Sequence, residues 1–134
     1  MRSPRISRSI TKSVDLRVRP DRAFDFLNNP VNWPKWAVVN LKSVKPGKNG
    51  WYRTLTRQGR GQLKMQSNKA LGILDHIWRD SQASWSVPAR VVPNGRGCTF
   101  LMTFFQPPAL DDRSFDAAAR EVDIELRKLK EVLE

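Results

Sequence analysis

Apolar and polar side chains alternate along the first stretch of the chain. Ile6, Ile10, Val14, Leu16 and Val18 fall on even positions, and Ser7, Ser9, Thr11, Ser13, Asp15 and Arg17 on odd ones. A period of two belongs to a half-buried strand. Arg8 and Lys12 interrupt the apolar face; Lys12 reads either as a stem lying along apolar surface with its charge in water or as a charged group at a cavity wall. Pro20 can open a helix at its first position, where no N–H is required. Ala23, Phe24, Phe26 and Leu27 then make a short helical stripe, which Asn28-Asn29-Pro30 ends. Residues 31–36 form a second short helix or turn, with Trp33 and Trp36 on nearly one face and Pro34 limiting its regularity.

Strand patterns dominate the middle of the chain. Residues 38–44 read as a strand and Pro46-Gly47-Lys48-Asn49-Gly50 as a turn. Residues 51–57 put Trp51, Arg53, Leu55 and Arg57 on one face and Tyr52, Thr54 and Thr56 on the other. Gly59-Arg60-Gly61 reads as a turn, and residues 62–69 as a strand with Leu63 and Met65 on its apolar side. Two strands follow over 72–79 and 83–92, the second with Trp85, Val87, Ala89 and Val91 on one face. Pro93-Asn94-Gly95 is a turn signal. Residues 98–105 form the most apolar strand, with Cys98, Phe100, Met102 and Phe104 together. Asp111 is placed to cap a final helix over 111–134, in which Phe115, Ala118, Val122, Leu126, Leu129 and Leu133 recur at spacings of three and four.

This order predicts an α+β domain spanning residues 1–134. Strands joined by short turns pair antiparallel, so six or seven of them make one sheet. A single long helix must cover one face of that sheet. A strongly curved sheet gripping one helix leaves an apolar gap between them.

The motifs along this plan resemble the START-like, helix-grip superfamily, the Bet v 1-like or SRPBCC group. That group includes the polyketide cyclase/dehydrase and activator-of-Hsp90-ATPase-like families. The carriers are residues 13–27, SVDLRVRPDRAFDFL, similar to the group's strand, proline and short helix, and residues 28–36, NNPVNWPKW, similar to its second helix ending in Trp. Leu74-Asp75-His76, Pro93-Asn94-Gly95 and Leu126-Arg127-Lys128-Leu129-Lys130 fit a bacterial polyketide cyclase/dehydrase-like branch. The resemblance covers nearly the whole chain. It implies a helix-grip fold with two short helices after the first strand, and a cavity for a small hydrophobic or amphipathic ligand. It also implies that Trp33 and Trp36 border that cavity. No cofactor is expected.

Composition narrows the chemistry. One His and one Cys, His76 and Cys98, exclude an intramolecular disulfide and multi-histidine or cysteine-rich metal sites. Cys98 reads as buried packing. The formal charge of +11 is unevenly placed, since residues 107–134 hold eight acids against five bases. A basic body can attract nucleic acid, anionic lipid or an anionic ligand. There is no zinc-finger spacing, RNP-like aromatic signature or helix-turn-helix pattern, so no specific nucleic-acid partner is expected. Contact with an anionic surface or a protein partner stays open. Arg2, Arg5, Arg8 and Lys12 among serines resemble a transit peptide in composition, but the two-residue period argues for a strand. No apolar run approaches the roughly 18 residues of a membrane span, and no signal-peptide core is present. A cytoplasmic protein is expected.

The alternation of each strand nominates the cavity lining. Leu63, Met65, His76, Trp78, Phe100 and Met102 face Phe115, Ala118, Val122 and Leu126 of the helix. Asp75 and His76 are adjacent in a strand, so they point to opposite faces and form no acid/base pair. His76 is read as an orienting hydrogen-bond partner; the alternative is an enzyme of cyclase, dehydratase or hydrolase type using it as acid or base. Arg53 and Arg57 are either contacts for an anionic group on the ligand or an outward basic strand.

Overall fold

The computed structural model describes residues 6–134. Arg2 and Arg5 of the basic N-terminal stretch lie outside the described residues. The first strand, β1 (Ser9–Leu16), alternates as the sequence predicts and ends on buried Leu16. Pro20 opens α1 (Pro20–Leu27), which buries Ala23, Phe24 and Leu27. A 3-10 helix, Pro30–Lys35, follows; the Asn29 side chain accepts a hydrogen bond from Val31 N at its start. Trp33 Nε1 donates to the Leu27 carbonyl at 2.8 Å and fixes this short helix against α1.

Seven further strands complete one antiparallel sheet: β2 (Leu41–Pro46), β3 (Trp51–Thr56), β4 (Gly59–Asn68), β5 (Ile73–Arg79), β6 (Ser84–Val87), β7 (Ala89–Asn94) and β8 (Gly97–Phe105). Their order is β1-β8-β7-β5-β4-β3-β2, with β6 also paired to β5. The final helix α2 (Asp112–Leu133) is capped by the Asp111 carboxylate, which accepts from Ser114 N at 2.8 Å. It runs alongside β1 across the concave face: Lys12 reaches Asp123, and Lys130 reaches the Asp15 carbonyl.

Three sequence expectations change. The sheet has eight strands because the predicted strand 83–92 is two: Pro88 breaks it into β6, which pairs with β5, and β7, which pairs with β8. Proline has no N–H to give a ladder. The strand expected at 38–44 begins only at Leu41, because residues 38–40 form a turn. Gly59-Arg60-Gly61 is not a turn; the chain reverses at Arg57-Gln58, and both glycines stand in β4 opposite Thr56 and Thr54.

The core occupies one end of the grip. Phe24, Leu27, Leu63, Leu74, Phe100 and Leu129 are all at most 3% exposed there. At this end β5 starts from Gly72, whose φ of +68° suits glycine and whose absent Cβ would lie 2.3 Å from the Val91 carbonyl oxygen.

Candidate functional site

The opposite end of the grip is hollow. A cavity of about 600 Å³ lies between the concave sheet and the N-terminal half of α2, within the ~300–1,000 Å³ usual for small-molecule sites. Phe115, Ala118, Ala119, Val122 and Glu125 of α2 form one wall. Thr54 and Thr56 of β3, Gly59 and Gly61 of β4, His76 and Trp78 of β5, and Met102 and Phe104 of β8 form the other. Trp33 and Trp36 close the inner side, and exposed Gln58, Arg60, Asp80, Trp85 and Pro107 rim the mouth. A second depression, of about 280 Å³, lies among Arg60, Gln62, Arg79 and Asp80 on the outer rim, and none of these residues is buried.

Small residues make the space. Along the inner face of β4 the series runs Gly59, Gly61, Leu63, Met65, so the strand is bare at the open end and filled at the other. A Cβ at Gly61 would lie 3.2 Å from Thr54 Oγ1 and 3.0 Å from the Arg79 carbonyl oxygen. At Gly59 a Cβ would meet nothing, but φ is +113°, a conformation that favours glycine. On α2, Ala118 and Ala119 stand where a large side chain would reach the sheet.

An aromatic wall lines one side. Trp33 lies 5.6 Å from Trp36, 6.2 Å from Trp78 and 4.9 Å from the His76 ring, the last edge-on. Trp78 stacks on Trp85 at the mouth, 6.4 Å between centroids and 10° between planes.

Four buried polar side chains break this apolar lining. His76 is 2% exposed, and its Nδ1 lies 3.0 Å from the Leu74 carbonyl oxygen. A carbonyl only accepts, so Nδ1 carries the proton and Nε2 presents a lone pair. Burial pushes the His76 imidazolium pKa down to about 4, so the ring is neutral at pH 7. Glu125 is 5% exposed. Its Oε2 accepts from Val39 N and Asn40 N, each at 3.1 Å, in the turn just beyond Trp36. Burial raises the Glu125 pKa above the usual carboxylate value, against the pull of those two N–H groups. Trp36 Nε1 and Thr54 Oγ1 are buried without a hydrogen-bond partner among the described residues. An orphaned buried polar group costs about 1–3 kcal/mol, so each of these atoms weighs against the stability of the fold.

Comparison with solved structures fits this architecture. A START superfamily protein from Mycobacterium smegmatis superposes with a TM-score of 0.70 at 10% identity, over 93% of this chain and 96% of that one. The Aha1 dimer from Colwellia psychrerythraea gives 0.69 at 10% identity, over 95% and 96%. The di-domain ARO/CYC BexL from the BE-7585A biosynthetic pathway gives 0.71 at 16% identity, over 92% of this chain and 45% of that one. The chain has the START-like helix-grip fold. At these identities the likeness is one of fold alone. No protein-family model matches the sequence, and no curated protein does.

Within the START-like grip, the residues nominated from sequence divide in two. Trp33, Trp36, His76, Trp78, Met102, Phe115, Ala118 and Val122 line the cavity. Leu63, Met65, Phe100 and Leu126 do not: Leu63, Phe100 and Leu126 are at most 2% exposed in the packed core, and Met65 packs against it. Strand parity gives the face a side chain occupies but not how far along the groove it lies. Arg53 and Arg57 are also absent from the lining, because Tyr52, Thr54 and Thr56 take the inner face of this strand. Arg57 instead pairs with Glu121 of α2 at 2.6 Å and donates to Asn40 Oδ1 at 3.0 Å. Lys12 spans from β1 to Asp123 at 3.0 Å, as a snorkelling stem would.

Glu125, Thr54 and the two cavity glycines escaped the sequence reading. Glu125 had a legible signal. It stands three residues after Val122 and four before Leu129, on the apolar stripe. An acid in that position is buried with partners or with a purpose.

Proposed function

We propose that the protein binds a small hydrophobic or amphipathic molecule in the cavity between the sheet and α2. One observation carries this reading: an apolar, aromatic-walled space of about 600 Å³ opens between the sheet and α2, with His76 and Glu125 among its lining residues. Side chains facing empty space forgo dispersion contacts. A ligand with an apolar body restores those contacts, and a polar head suits a lining that also holds His76 and Glu125. His76 acts here as a neutral orienting group. A pKa of about 4 is far from the optimum of a general base working near pH 7.

Native mass spectrometry of freshly purified protein tests the reading. The expected result is a small molecule that travels with the folded chain and leaves on denaturation. Ligand-free protein that also fails to take up the uncharged dye Nile red would overturn it.

Catalysis on the same cavity has one observation in its favour. Glu125, a carboxyl whose pKa burial raises, opens on the space that His76 also lines. Under that reading, His76→Gln or Glu125→Gln abolishes turnover of the ligand found by mass spectrometry while its binding is retained.

A further inference from the structure

We infer that the convex face of the sheet, at the open end of the grip, docks on an anionic lipid surface. The inference concerns the outside of β2–β5 and goes beyond what fills the cavity.

Strand register places the charges. Thr54, Gly61, Trp78 and Trp85 line the cavity, so the side chains between them along each strand point outward. On that outer face Lys45 stands opposite Arg53, Arg53 opposite Gln62, and Gln62 opposite Arg79. One row nearer the mouth, Leu55 stands opposite Arg60. One row farther from it, Lys64 lies between Trp51 and Ile77. Five bases, Lys45, Arg53, Arg60, Lys64 and Arg79, thus share three rows at the open end. The next row toward the packed end, Gln66 opposite Asp75, holds an acid and no base.

These bases have no acidic partner. Lys45, Arg53, Arg60 and Arg79 are exposed and Lys64 is half-buried. Among the described residues none of the five forms an ion pair, and residues 1–5 contain no acid. Arg8, Lys12 and Arg57, by contrast, are each answered by an acid of α2. Trp51 gathers two of the five: the Arg79 guanidinium lies 3.7 Å from its ring centroid and Lys64 Nζ 5.8 Å. An aromatic face attracts cations without neutralising them. Asp80 borders the patch, with its Oδ1 accepting from Gln82 N and Ala83 N. Like charges on neighbouring sheet positions repel, so an external anion relieves the array.

A plane of anionic headgroups fits this face better than nucleic acid does. Single-strand binding uses open aromatic faces in a basic groove, whereas this face is convex and Arg79 lies against the Trp51 ring. Anionic lipid attracts clustered Lys and Arg. Leu55 is exposed within the patch, and Trp85 and Phe105 at the adjoining mouth; such side chains settle at a lipid–water boundary. Arg60 and Arg79 line both the outer depression and the mouth, so docking by this face sets the mouth beside the lipid.

Cosedimentation of the full chain with phosphatidylcholine vesicles, with and without about 30% phosphatidylglycerol, at about 0.1 M sodium chloride, tests the inference. Binding is expected to the anionic vesicles only. One base near such a surface is worth about fivefold in partitioning. Lys45→Glu with Arg53→Glu, both outside the cavity lining, should therefore cut binding at least about tenfold. Arg22→Glu with Arg96→Glu changes the net charge equally at exposed sites on α1 and in the β7–β8 turn, and should cut it less than about threefold. Both double variants should take up Nile red as the wild type does, the control for an intact fold. Failure to bind anionic vesicles, equal binding to both vesicle types, or equal losses in the two variants would overturn the inference. Release from the vesicles by an equimolar random-sequence DNA duplex would assign the face to nucleic acid and overturn it too. Vesicle binding without Nile red uptake by the wild type would count against the ligand-binding reading alone.

Discussion

The two halves of α2 lie on one sheet but are held to it differently. From Leu126 onward the helix presses Leu126, Leu129 and Leu133, all at most 3% exposed, into the core. Before that point it offers Ala118 and Ala119 to an open cavity, and bases from the sheet tether it at the edges. Arg8 pairs with Asp112 and Asp116, Lys12 with Asp123, and Arg57 with Glu121. The charge asymmetry of the chain thus has a partner inside the molecule: part of the basic sheet answers the acidic helix. Hydrophobic contact holds the end that needs no ligand, and ion pairs hold the roof of the end that can admit one.

The sharpest test of this contrast is a pair of substitutions. Leu129→Ala, at a fully buried position, is expected to cost about 2–5 kcal/mol in urea unfolding, from lost transfer energy plus the cavity left behind. Ala118→Leu on the roof faces existing space and should change stability by less than about 1 kcal/mol while abolishing Nile red uptake. Similar stability losses from the two would show that the halves do not differ.

His76, whose ring meets Trp33 where the aromatic wall joins the packed helices, supplies the next effect. Its folded pKa of about 4 lies below the ordinary value of 6.5. The unfolded chain therefore binds the proton first. Stability contributed by the neutral ring is present above about pH 6.5 and is lost as pH falls toward about 4. The shift corresponds to something on the order of 3 kcal/mol. Glu125 works in the opposite sense, because its raised pKa favours the folded state when protonated. The comparison must therefore be between the wild type and His76→Gln. Urea titrations from pH 7 to pH 4 should show a steeper loss in the wild type, and parallel curves would exclude a buried neutral imidazole.

How much of this was legible in the sequence follows the same divide. The packed half was read well: the alternation of β1 and β8, the α1 stripe and the leucines of α2 all depend on local periodicity. The open half was read by face but not by depth, because space is set by what is missing. Gly59 and Gly61 looked like a turn, since glycine marks turns far more often than it marks a bare patch of strand. Leu63 and Phe100 were placed in the cavity because parity cannot see the helix Pro30–Lys35 and α1 covering that end. Glu125 stood on the apolar stripe and was counted only as a charge.

A smaller effect has the opposite sign to most substitutions. Thr54→Val in ligand-free protein removes a buried hydroxyl with no partner and keeps the branched shape that suits a strand. It should stabilise the fold by about 1 kcal/mol, because the desolvation cost of the orphaned group disappears. The equivalent change at exposed Thr11, which shares a hydrogen bond with Thr103 at 2.8 Å, should give no such gain. A destabilised Thr54→Val would mean that the hydroxyl is satisfied in solution.

The smallest effect separates the halves of α2 without any substitution. Ion pairs between partly exposed groups are individually worth about 0–1 kcal/mol and weaken with salt, since the screening length falls from about 10 Å at 0.1 M to about 3 Å at 1 M. Burial of leucine has no such dependence on screening. Amide hydrogen exchange reports the local opening of each turn. Raising sodium chloride from low to molar concentration should speed exchange across residues 115–123 by a few fold, because the Arg8, Lys12 and Arg57 tethers all act there. Residues 126–133 should change less: the ion pairs at that end, Lys128–Glu131 and Lys130–Glu134, lie within the helix's own C-terminal turns, and its polar ties toward β1 are hydrogen bonds with backbone groups, Lys130 Nζ to the Asp15 carbonyl and Arg17 N to Glu134 Oε2. Chloride also strengthens apolar burial weakly, which would slow exchange in both halves, so the quantity to follow is the ratio between them. A ratio that stays constant with salt would mean that the roof is held by its apolar contacts, Phe115 and Val122, and that the ion pairs only decorate its edges.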